Sequence, residues 1–239
     1  LHYLPFHVLH SGERYLIEEY PIFYSPSASV LKYSLDKRRT RGEKIIAFGN
    51  PDLGDPAYDL PFAEKEVEGI AGIFPSARIY LRKDASEEVA KKETGGYDLI
   101  HFACHAEFSD LDPLYSSIRL ARDQKGDGRL EAQEIFSLNL RPYLVTLSAC
   151  KTGLGLIASG DEIIGMNRAF IYAGAASILS SLWSVSDVST AKLMDSFYRN
   201  LKRMTKDEAL QKAQVEMSKT KEFAAPFFWA PFYLTGDWK

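Results

Sequence analysis

Two stretches of the sequence carry residues that could do nucleophilic chemistry. The first, YDLIHFACHAEF at residues 97–108, holds His101, Cys104 and His105 behind an apolar run. The second, YLVTLSACKTGLG at residues 143–155, holds Cys150, the other of the two cysteines in the sequence. A thiolate served by a histidine as base and acid can attack a carbonyl carbon. The sequence therefore poses the question of which histidine works with which cysteine.

The elements that must position these residues are apolar strands. YDLIHFAC and YLVTLSAC are each apolar almost throughout, as are EKIIAF near residue 45 and ASILSSLW near residue 180, and helical segments lie between them. Continuous apolar strands that alternate with helices are typical of a parallel sheet buried on both faces. We therefore expect an α/β fold with a mostly parallel central sheet and helices on both faces.

The positions of the strand ends determine which of these residues could lie close together. In such sheets the functional groups lie just beyond the carboxyl ends of the strands. His105 is the first polar residue past the end of one predicted strand, and Cys150 ends another. The loop after Cys150 is glycine-rich, which leaves the approach to its sulfur open. This pattern predicts a Cys150–His105 dyad, and the alternative is that both are core residues at strand ends.

The neighbours of His105 suit other roles. His101 lies four residues earlier, which places it ~13 Å deeper along the strand, so we expect a packed, hydrogen-bonded core histidine. Cys104 points away from His105 and is expected to be buried and inert. A metal site is not expected, because the sequence contains no CxxC spacing and its two cysteines lie far apart in the chain.

Composition limits the function classes. The 239 residues are 46% hydrophobic and carry a formal net charge of −3, which gives no general electrostatic case for binding nucleic acid or a membrane surface. No apolar stretch approaches the ~20 residues of a membrane helix. Two cysteines make no disulfide framework, so we expect a cytoplasmic setting. The basic run LDKRRTRGEK at residues 35–44 is interpreted as a solvated linker, with a docking patch as the alternative.

Three motifs in order carry a family resemblance. LIHFACHAEF, LVTLSACKTGLG and GDEIIGMNRAFIYAGAASILSSLWSVSD resemble the CHAT family of caspase-like cysteine peptidases, and the resemblance covers nearly the whole chain. It implies a caspase-like three-layer sandwich over residues 1–239, related to caspases and separase. Residues 1–42 would form a lead-in segment and residues 43–239 the catalytic core. The chain starts inside apparently structured sequence, so we interpret it as the C-terminal part of a longer protein with upstream helical repeats of the TPR kind.

The resemblance also implies the catalytic residues. His105 matches the family's catalytic histidine and Cys150 its nucleophile. The backbone N–H groups of Ala106 and Cys150 would bind the oxyanion. The family usually has glycine at the position of Ala106, and a backbone donor survives that change. No third member of a triad is evident, as expected for caspase-like dyads.

By similarity to caspases, the strand end after residue 180 would form a wall of the substrate groove, where an extended peptide adds as a strand. The implied substrate-binding residues are Ser181, Leu182, Trp183, Ser184, Asp187 and Asp161. Trp183 would be a subsite wall, or alternatively a core tryptophan. Asp161 and Asp187 favour a basic or neutral residue before the scissile bond, or alternatively cap helices, with Asp187 or Ser189 opening the helix after Trp183.

The function that follows is a cysteine endopeptidase that cleaves a partner protein without a cofactor. It would be regulated by an upstream TPR-like region or an effector complex, in a CRISPR-linked, anti-phage or cell-death pathway. One alternative is a catalytically silent interaction module on the same fold. Another is a nucleotide-binding domain, which is disfavoured because FGNPDLGDP contains no GxGxxG or Walker lysine pattern.

Overall fold

The computed structural model describes residues 4–109, 112–148, 150–151, 161–183 and 186–239, and the side chains at 11, 150–151 and 161–164 fall outside this description. The strands are β1 His10–Ser11, β2 Arg14–Tyr15, β3 Phe23–Tyr24, β4 Ile45–Pro51, β5 Arg78–Arg82, β6 Leu99–Ala103, β7 His105–Glu107, β8 Ser117–Arg119, β9 Arg129–Glu131, β10 Leu144–Leu147, β11 Cys150–Lys151, β12 Ser177–Ser181 and β13 Phe232–Gly236. The helices are α1 Ala28–Asp36, α2 Pro61–Ile73, α3 Glu87–Glu93, α4 Ala132–Ile135, α5 Asp161–Ala173, α6 Asp187–Leu201, α7 Lys206–Ser218 and α8 Pro226–Trp229.

Seven strands form the central sheet in the order β3-β13-β12-β10-β6-β4-β5. Every neighbouring pair is parallel except β12 and β13, which are antiparallel. Strands β6 and β10 are direct neighbours, with Leu99 opposite Leu144 and Phe102 opposite Leu147. This confirms the expected mostly parallel sheet and makes the two sequence stretches adjacent parallel strands.

Successive residues of the central strands belong to two different hydrophobic cores. Ile45, Leu99 and Leu144 face α2, α6 and α7 in one core. Their neighbours Ile46 and Ile100 belong to a second core on the other face, with α5. Because successive strand residues point to opposite faces and both faces are covered, most positions in these strands are apolar. The buried polar exceptions His101 and Thr146 hydrogen-bond to Tyr198. The structure thus has the expected three layers.

A small second sheet extends beyond the central one. Strand β6 ends at Ala103, and after a bend at Cys104 the chain enters β7, which belongs to a four-stranded sheet in the order β11-β7-β8-β9. The sequence predicts one strand that simply ends before His105. Instead, His105 opens a strand of its own.

Helix ends show where local sequence determines structure. Gly174 ends α5 with φ of +124°, and a Cβ there would lie 1.9 Å from the Leu140 carbonyl oxygen, so only glycine fits. The predicted cap of α6 at Asp187 or Ser189 is wrong. Ser186 is the N-cap, Asp187 is the first helical residue, and the Ser189 hydroxyl donates to the Ser186 carbonyl.

Both ends of the described chain pack on the body. Strand β3 pairs only with β13, which itself pairs with β12. The His7 Nε2 lies 2.6 Å from the carbonyl oxygen of Ala230, next to the fully buried Trp229. The aromatic C-terminal segment therefore packs on the body through Trp229, while Phe227 stays exposed. Within the described parts of the chain, no helix combines the length and apolarity needed to cross a bilayer.

Candidate active site

Backbone pairing brings His105 and Cys150 together. Strands β7 and β11 are parallel, with Cys150 opposite His105 and Lys151 opposite Ala106. Paired strands lie about 4.8 Å apart, so the two backbones are as close as neighbouring chains in a sheet allow. The side chain of Cys150 lies outside the described residues. The small second sheet therefore positions both residues, each one short step beyond a strand of the central sheet.

The ring of His105 is held in one orientation. It is 7% exposed, and its Nε2 lies 2.8 Å from the carbonyl oxygen of Tyr58. A carbonyl oxygen only accepts hydrogen bonds, so Nε2 carries the hydrogen and, in the neutral ring, Nδ1 carries the lone pair. The buried Nδ1 has no hydrogen-bond partner among the described residues. The basic nitrogen of His105 is thus left available to accept a proton.

Tyr58 is presented by a tight loop after β4. Residues Pro56–Tyr58 form one 3-10 turn, and the side chain of Asp55 caps it by accepting from the Ala57 N–H at 2.9 Å. The Tyr58 ring also meets the His105 ring edge-on, with 5.9 Å between centroids. Sequence reasoning missed this group, because a backbone carbonyl has no side-chain signature. The only available signal was the density of turn-forming residues in GNPDLGDP after a predicted strand.

Asp187 lies within electrostatic reach of His105. Its carboxylate is half-buried at the start of α6. Burial raises the pKa of Asp187 above its ordinary value, the charge of Glu66 raises it further, and the charge of His105 lowers it. The structure therefore places this predicted substrate-binding residue beside the catalytic candidate.

A buried polar chain lies behind the site. His101 is fully buried, with Nδ1 2.9 Å from the Tyr198 hydroxyl and Nε2 2.9 Å from Oε1 of Glu66. The Tyr198 hydroxyl donates to Thr146 Oγ1 at 2.8 Å, so its oxygen accepts from Nδ1–H of His101. Nε2 and Glu66 Oε1 form a close buried contact that does not meet hydrogen-bond geometry. This confirms the interpretation of His101 as a hydrogen-bonded core residue, and Glu66 is a partner that sequence reasoning missed.

Cys104 is not a nucleophile candidate. It is fully buried, and its thiol lies 3.6 Å from the Phe48 carbonyl oxygen. Burial raises the pKa of the Cys104 thiol well above its ordinary value, so the thiolate does not form at neutral pH. The expectation that Cys104 is buried and inert is confirmed.

Two of the other predicted residues share a small cavity. Ala106 and Ser181 line a space of about 20 Å³ together with Met166 and Asn167. Ala106 lies in β7, in register with Ile118 on one side and Lys151 on the other. The ends of β7 and β12 therefore meet at this cavity.

The rest of the predicted groove wall is partly anchored in the body. Leu182 is 8% exposed, and its N–H donates to the Pro231 carbonyl. Trp183 is half-buried beside Leu182, with Nε1–H donating to the Phe227 carbonyl at 3.1 Å. Ser184 and the side chain of Asp161 lie outside the described residues. Trp183 therefore packs against the core with part of its side chain exposed, and its role as a subsite wall stays a prediction.

No described residues form a metal centre. Across the described ranges, no group of three or more His, Cys, Asp or Glu side chains is arranged to hold an ion.

Comparison with known proteins agrees with this architecture. Tetratricopeptide repeat protein 28 of Homo sapiens is 24% identical over 288 residues, which cover 99% of this chain and 12% of that protein. The mouse protein of the same name is 32% identical over 109 residues, covering 45% of this chain and 4% of its own length. The chain thus spans a small fraction of the curated relatives that it matches.

Solved structures share the fold. The Saccharomyces cerevisiae separase of a separase–securin complex matches with a TM-score of 0.65 and 16% identity, covering 98% of this chain and 14% of that chain. Gingipain R (RgpB) of Porphyromonas gingivalis, an Arg-specific cysteine proteinase, matches with a TM-score of 0.56 and 12% identity, covering 87% of this chain and 51% of that chain. At such identities the likeness concerns the fold.

The family assignment joins these observations. The motif order predicts a parallel sheet that brings a histidine and a cysteine to one edge, and β6, β7, β10 and β11 have this arrangement. The solved structures of separase and gingipain share the fold. The family model described as CHAT domain matches residues 1–237. This chain belongs to the CHAT domain family.

Proposed function

We propose that this chain is the peptidase domain of a cysteine endopeptidase with Cys150 as nucleophile and His105 as general base and acid. The observation that carries the proposal is the register of β7 and β11, which sets Cys150 opposite His105 while Nε2 of that histidine is occupied by the Tyr58 carbonyl. The free Nδ1 is then the nitrogen that exchanges a proton with the thiol.

The reaction follows from these positions. Nδ1 of His105 takes the Cys150 proton, and the thiolate attacks the scissile carbonyl carbon. The imidazolium then gives this proton to the leaving amine, the C–N bond breaks, and a thioester remains on Cys150. Water, deprotonated by the same nitrogen, hydrolyses the thioester and restores the thiol. Asp187 stabilises the imidazolium electrostatically, which accords with the effect of His105 on its pKa.

Substrate binding is proposed at the end of β12. The backbone N–H groups of Ala106 and Cys150 bind the oxyanion, and an extended peptide runs along Ser181–Ser184 with Trp183 as a wall. Strand β12 continues past Leu179, its last register pair with β10, in support of a groove there. Asp161 and Asp187 favour a basic or neutral residue before the scissile bond.

Regulation is proposed to come from outside this chain. The named relatives are tetratricopeptide repeat proteins of which this chain covers a small part, which supports control by a repeat region or a bound complex. A cytoplasmic location is part of the same proposal. A CRISPR-linked, anti-phage or cell-death pathway is the setting that we propose for that control.

One observation favours a second candidate, a silent interaction module. Ala106 lies between two paired strands, in register with Ile118 and Lys151, whereas an oxyanion donor must face the substrate carbonyl. In this alternative the fold binds partner proteins and the dyad is not used.

The deciding experiment compares matched cysteine variants of the full-length protein. Wild type, Cys150→Ala, His105→Ala and Cys104→Ala are incubated with a cell extract and with candidate activators, and new protein N-termini are counted by mass spectrometry. We expect specific cleavages by wild type and Cys104→Ala and none by the other two. Cleavage that persists in both dyad variants refutes the dyad. No cleavage by any form, with partner capture by all of them, supports the interaction module.

A further inference from the structure

An open groove lies at the end of the central sheet opposite to the candidate active site. It measures about 910 Å³, and its walls come from residues 36–40 after α1, residues 136–141 before β10 and residues 172–174 at the end of α5, with Asp98 as a further lining residue. Asp98 precedes β6 and His105 follows it, so the five residues of that strand separate them by about 17 Å. A short peptide held in this groove is therefore remote from the dyad.

The groove has an excess of positive charge. Its charged lining residues are four cations, Lys37, Arg38, Arg39 and Arg141, and two carboxylates, Asp36 and Asp98. The whole sequence has a formal net charge of −3, so the charge of this surface is opposite in sign to that of the chain. We call it the basic groove.

Two of the four cations hold the groove together. Nε and Nη2 of Arg38 both donate to Oδ1 of the buried Asp237, at 3.0 and 2.6 Å. Nζ of Lys37 donates at 3.2 Å to the carbonyl oxygen of Ile171, in the last turn of α5, where backbone carbonyls lack helical partners. The segment after α1 is thereby fastened to the body of the protein at two points.

The other two cations are not neutralised. Arg39 and Arg141 are exposed, and neither forms an ion pair with a residue in the described ranges. The carboxylates of the lining have other partners, since Asp36 lies 2.6 Å from Nζ of Lys32 and Asp98 accepts from the backbone N–H of Lys44 at 3.1 Å. Two guanidinium groups are thus accessible to an anion from outside.

An apolar surface lies beside these arginines. Tyr172 is 65% exposed, and its ring meets the Phe136 ring edge-on, with 5.4 Å between centroids. The half-buried Leu138 is the third apolar side chain of this wall. Exposed tyrosine next to arginine is the combination that is enriched where proteins bind one another.

The shape of the groove is fixed by contacts within the protein. The Leu140 N–H donates to the Ala173 carbonyl at 2.8 Å, which joins the segment before β10 to the end of α5. The close approach of Gly174 to the Leu140 carbonyl lies at the same junction. A groove that is already formed loses little conformational entropy when a partner binds.

The charges and the apolar wall together indicate the kind of partner. A planar guanidinium binds a carboxylate through two parallel hydrogen bonds, so acidic side chains match Arg39 and Arg141. Nucleic acid is a poorer match, because its binding depends on many phosphate contacts and the groove offers two unpaired arginines next to two carboxylates. A phosphate backbone also has no apolar group for Tyr172.

We infer that the basic groove is a docking site for an acidic segment of a partner protein, whose carboxylates bind Arg39 and Arg141 and whose apolar side chain packs on Tyr172. This assigns the basic run at residues 35–44 to docking rather than to a solvated linker. Docking here is independent of the proposed peptidase activity, because the groove lies at the other end of the sheet, and binding measurements test it whether or not cleavage is observed.

The test measures the binding of labelled peptides by fluorescence anisotropy. The full-length Cys150→Ala protein, which lacks the proposed nucleophile, is titrated at low salt with the acidic peptide DEEFEDLEDE and with its amide counterpart NQQFQNLQNQ. We expect the acidic peptide to bind about tenfold more tightly, and the double variant Arg39→Gln/Arg141→Gln to lose this difference.

A second double variant is the matched control. Arg14→Gln/Arg122→Gln removes two exposed arginines outside the groove and gives the same net charge, so it should keep the preference for the acidic peptide. Equal binding of the two peptides by the parent protein, or equal loss in both double variants, overturns the inference.

Two further titrations test the nature of the partner. Tyr172→Ser should weaken binding of the acidic peptide about fivefold, but should not affect a peptide in which serine replaces its phenylalanine and leucine. Equal weakening of both peptides contradicts the contact with Tyr172. A labelled oligothymidylate of ten nucleotides that binds more tightly than the acidic peptide, and loses this binding in Arg39→Gln/Arg141→Gln, would assign the groove to nucleic acid and overturn the inference.

Discussion

The carbonyl oxygen of Tyr58 lies 2.8 Å from Nε2 of His105 and thereby fixes which ring nitrogen is basic. A side-chain carboxylate performs this orienting role in many histidine-dependent enzymes. Here a backbone group in a one-turn loop does so, and the strength of the orientation depends on how firmly that loop is held. Replacing Asp55, which caps the turn, therefore tests the proposed catalysis without changing either dyad residue.

Asp55→Ala should slow cleavage without unfolding the protein. Loss of such a cap costs about 1 kcal/mol of local stability, which lets the Tyr58 carbonyl leave His105 part of the time. We expect kcat to fall severalfold, with KM nearly unchanged, in assays of peptide cleavage.

Asp52→Ala is the matched control for this loop. The Asp52 carboxylate accepts from the Gly54 N–H and does not cap the turn that presents Tyr58. Equal activity of both variants and wild type would show that the carbonyl does not orient the histidine.

Asp187→Asn tests whether this residue acts through charge. The carboxylate and His105 interact electrostatically, so neutralising it should destabilise the imidazolium that forms during the reaction. We expect kcat to fall about five- to tenfold, together with a weaker preference for a basic residue before the scissile bond, since the proposed site gives Asp187 both roles. A change in that preference with no loss of kcat would show that Asp187 does not act on His105. Asp195→Asn, an exposed position on the same helix that pairs with Arg199, should behave as wild type.

The buried contact between His101 and Glu66 can be tested by a double-mutant cycle of unfolding free energies. Replacing one partner of a buried polar pair leaves the other without a partner, at a cost of about 1–3 kcal/mol. His101→Leu should therefore lower the free energy of unfolding by about that amount, as measured by urea denaturation. The double variant His101→Leu/Glu66→Gln should recover much of this loss. Additive losses in the double variant would show that the two side chains are not coupled.

We expect the buried Lys206 to make the free energy of unfolding depend on pH. Its side chain is fully buried at the start of α7, where Nζ donates to Ser177 Oγ at 2.6 Å and to the Tyr143 carbonyl at 3.2 Å. Burial lowers the pKa of Lys206 to about 8, although the charge of Asp237 opposes the shift. The folded state thus binds the proton less tightly than the unfolded state does.

The sign of this effect is definite. Below about pH 8 Lys206 is charged in both states, and burying that charge destabilises the folded state. Between about pH 8 and the ordinary lysine value of 10.5, the folded state loses the proton while the unfolded state keeps it, so this destabilisation disappears. The free energy of unfolding of wild type, relative to that of Lys206→Met, should therefore rise across this range by about 3 kcal/mol. A constant difference from pH 7 to pH 10 would contradict the buried-lysine explanation.

The sequence predicts the parts of this site that depend on one strand at a time. The apolar runs around Ile100 and Val145 specify buried parallel strands, and the rule that function lies beyond their carboxyl ends selects His105 and Cys150. The core role of His101 follows from its depth in the same strand. These inferences need only local pattern and strand geometry.

Other parts depend on contacts between distant segments and leave no local pattern. The Tyr58 carbonyl is a backbone group, and Glu66 on α2 looks in sequence like an ordinary polar helix position. Arg119 reaches His105 only because β8 folds back along β7. The position of Asp187 within helix α6 also depends on tertiary structure, since Ser186 rather than a nearby acid begins the helix.

The position of β13 has a consequence for how the chain is made. Strand β3, near the start of the sequence, pairs in the central sheet only with β13, near its end. Such pairing has high contact order, and it cannot form until residues 232–236 have left the ribosome. Until then β3 has no partner strand in the central sheet, and an unpaired strand of this kind is open to chaperone binding and to aggregation. A nascent chain cut short before residue 232 would lack β13 and, with it, the strand that joins β3 to the rest of the central sheet.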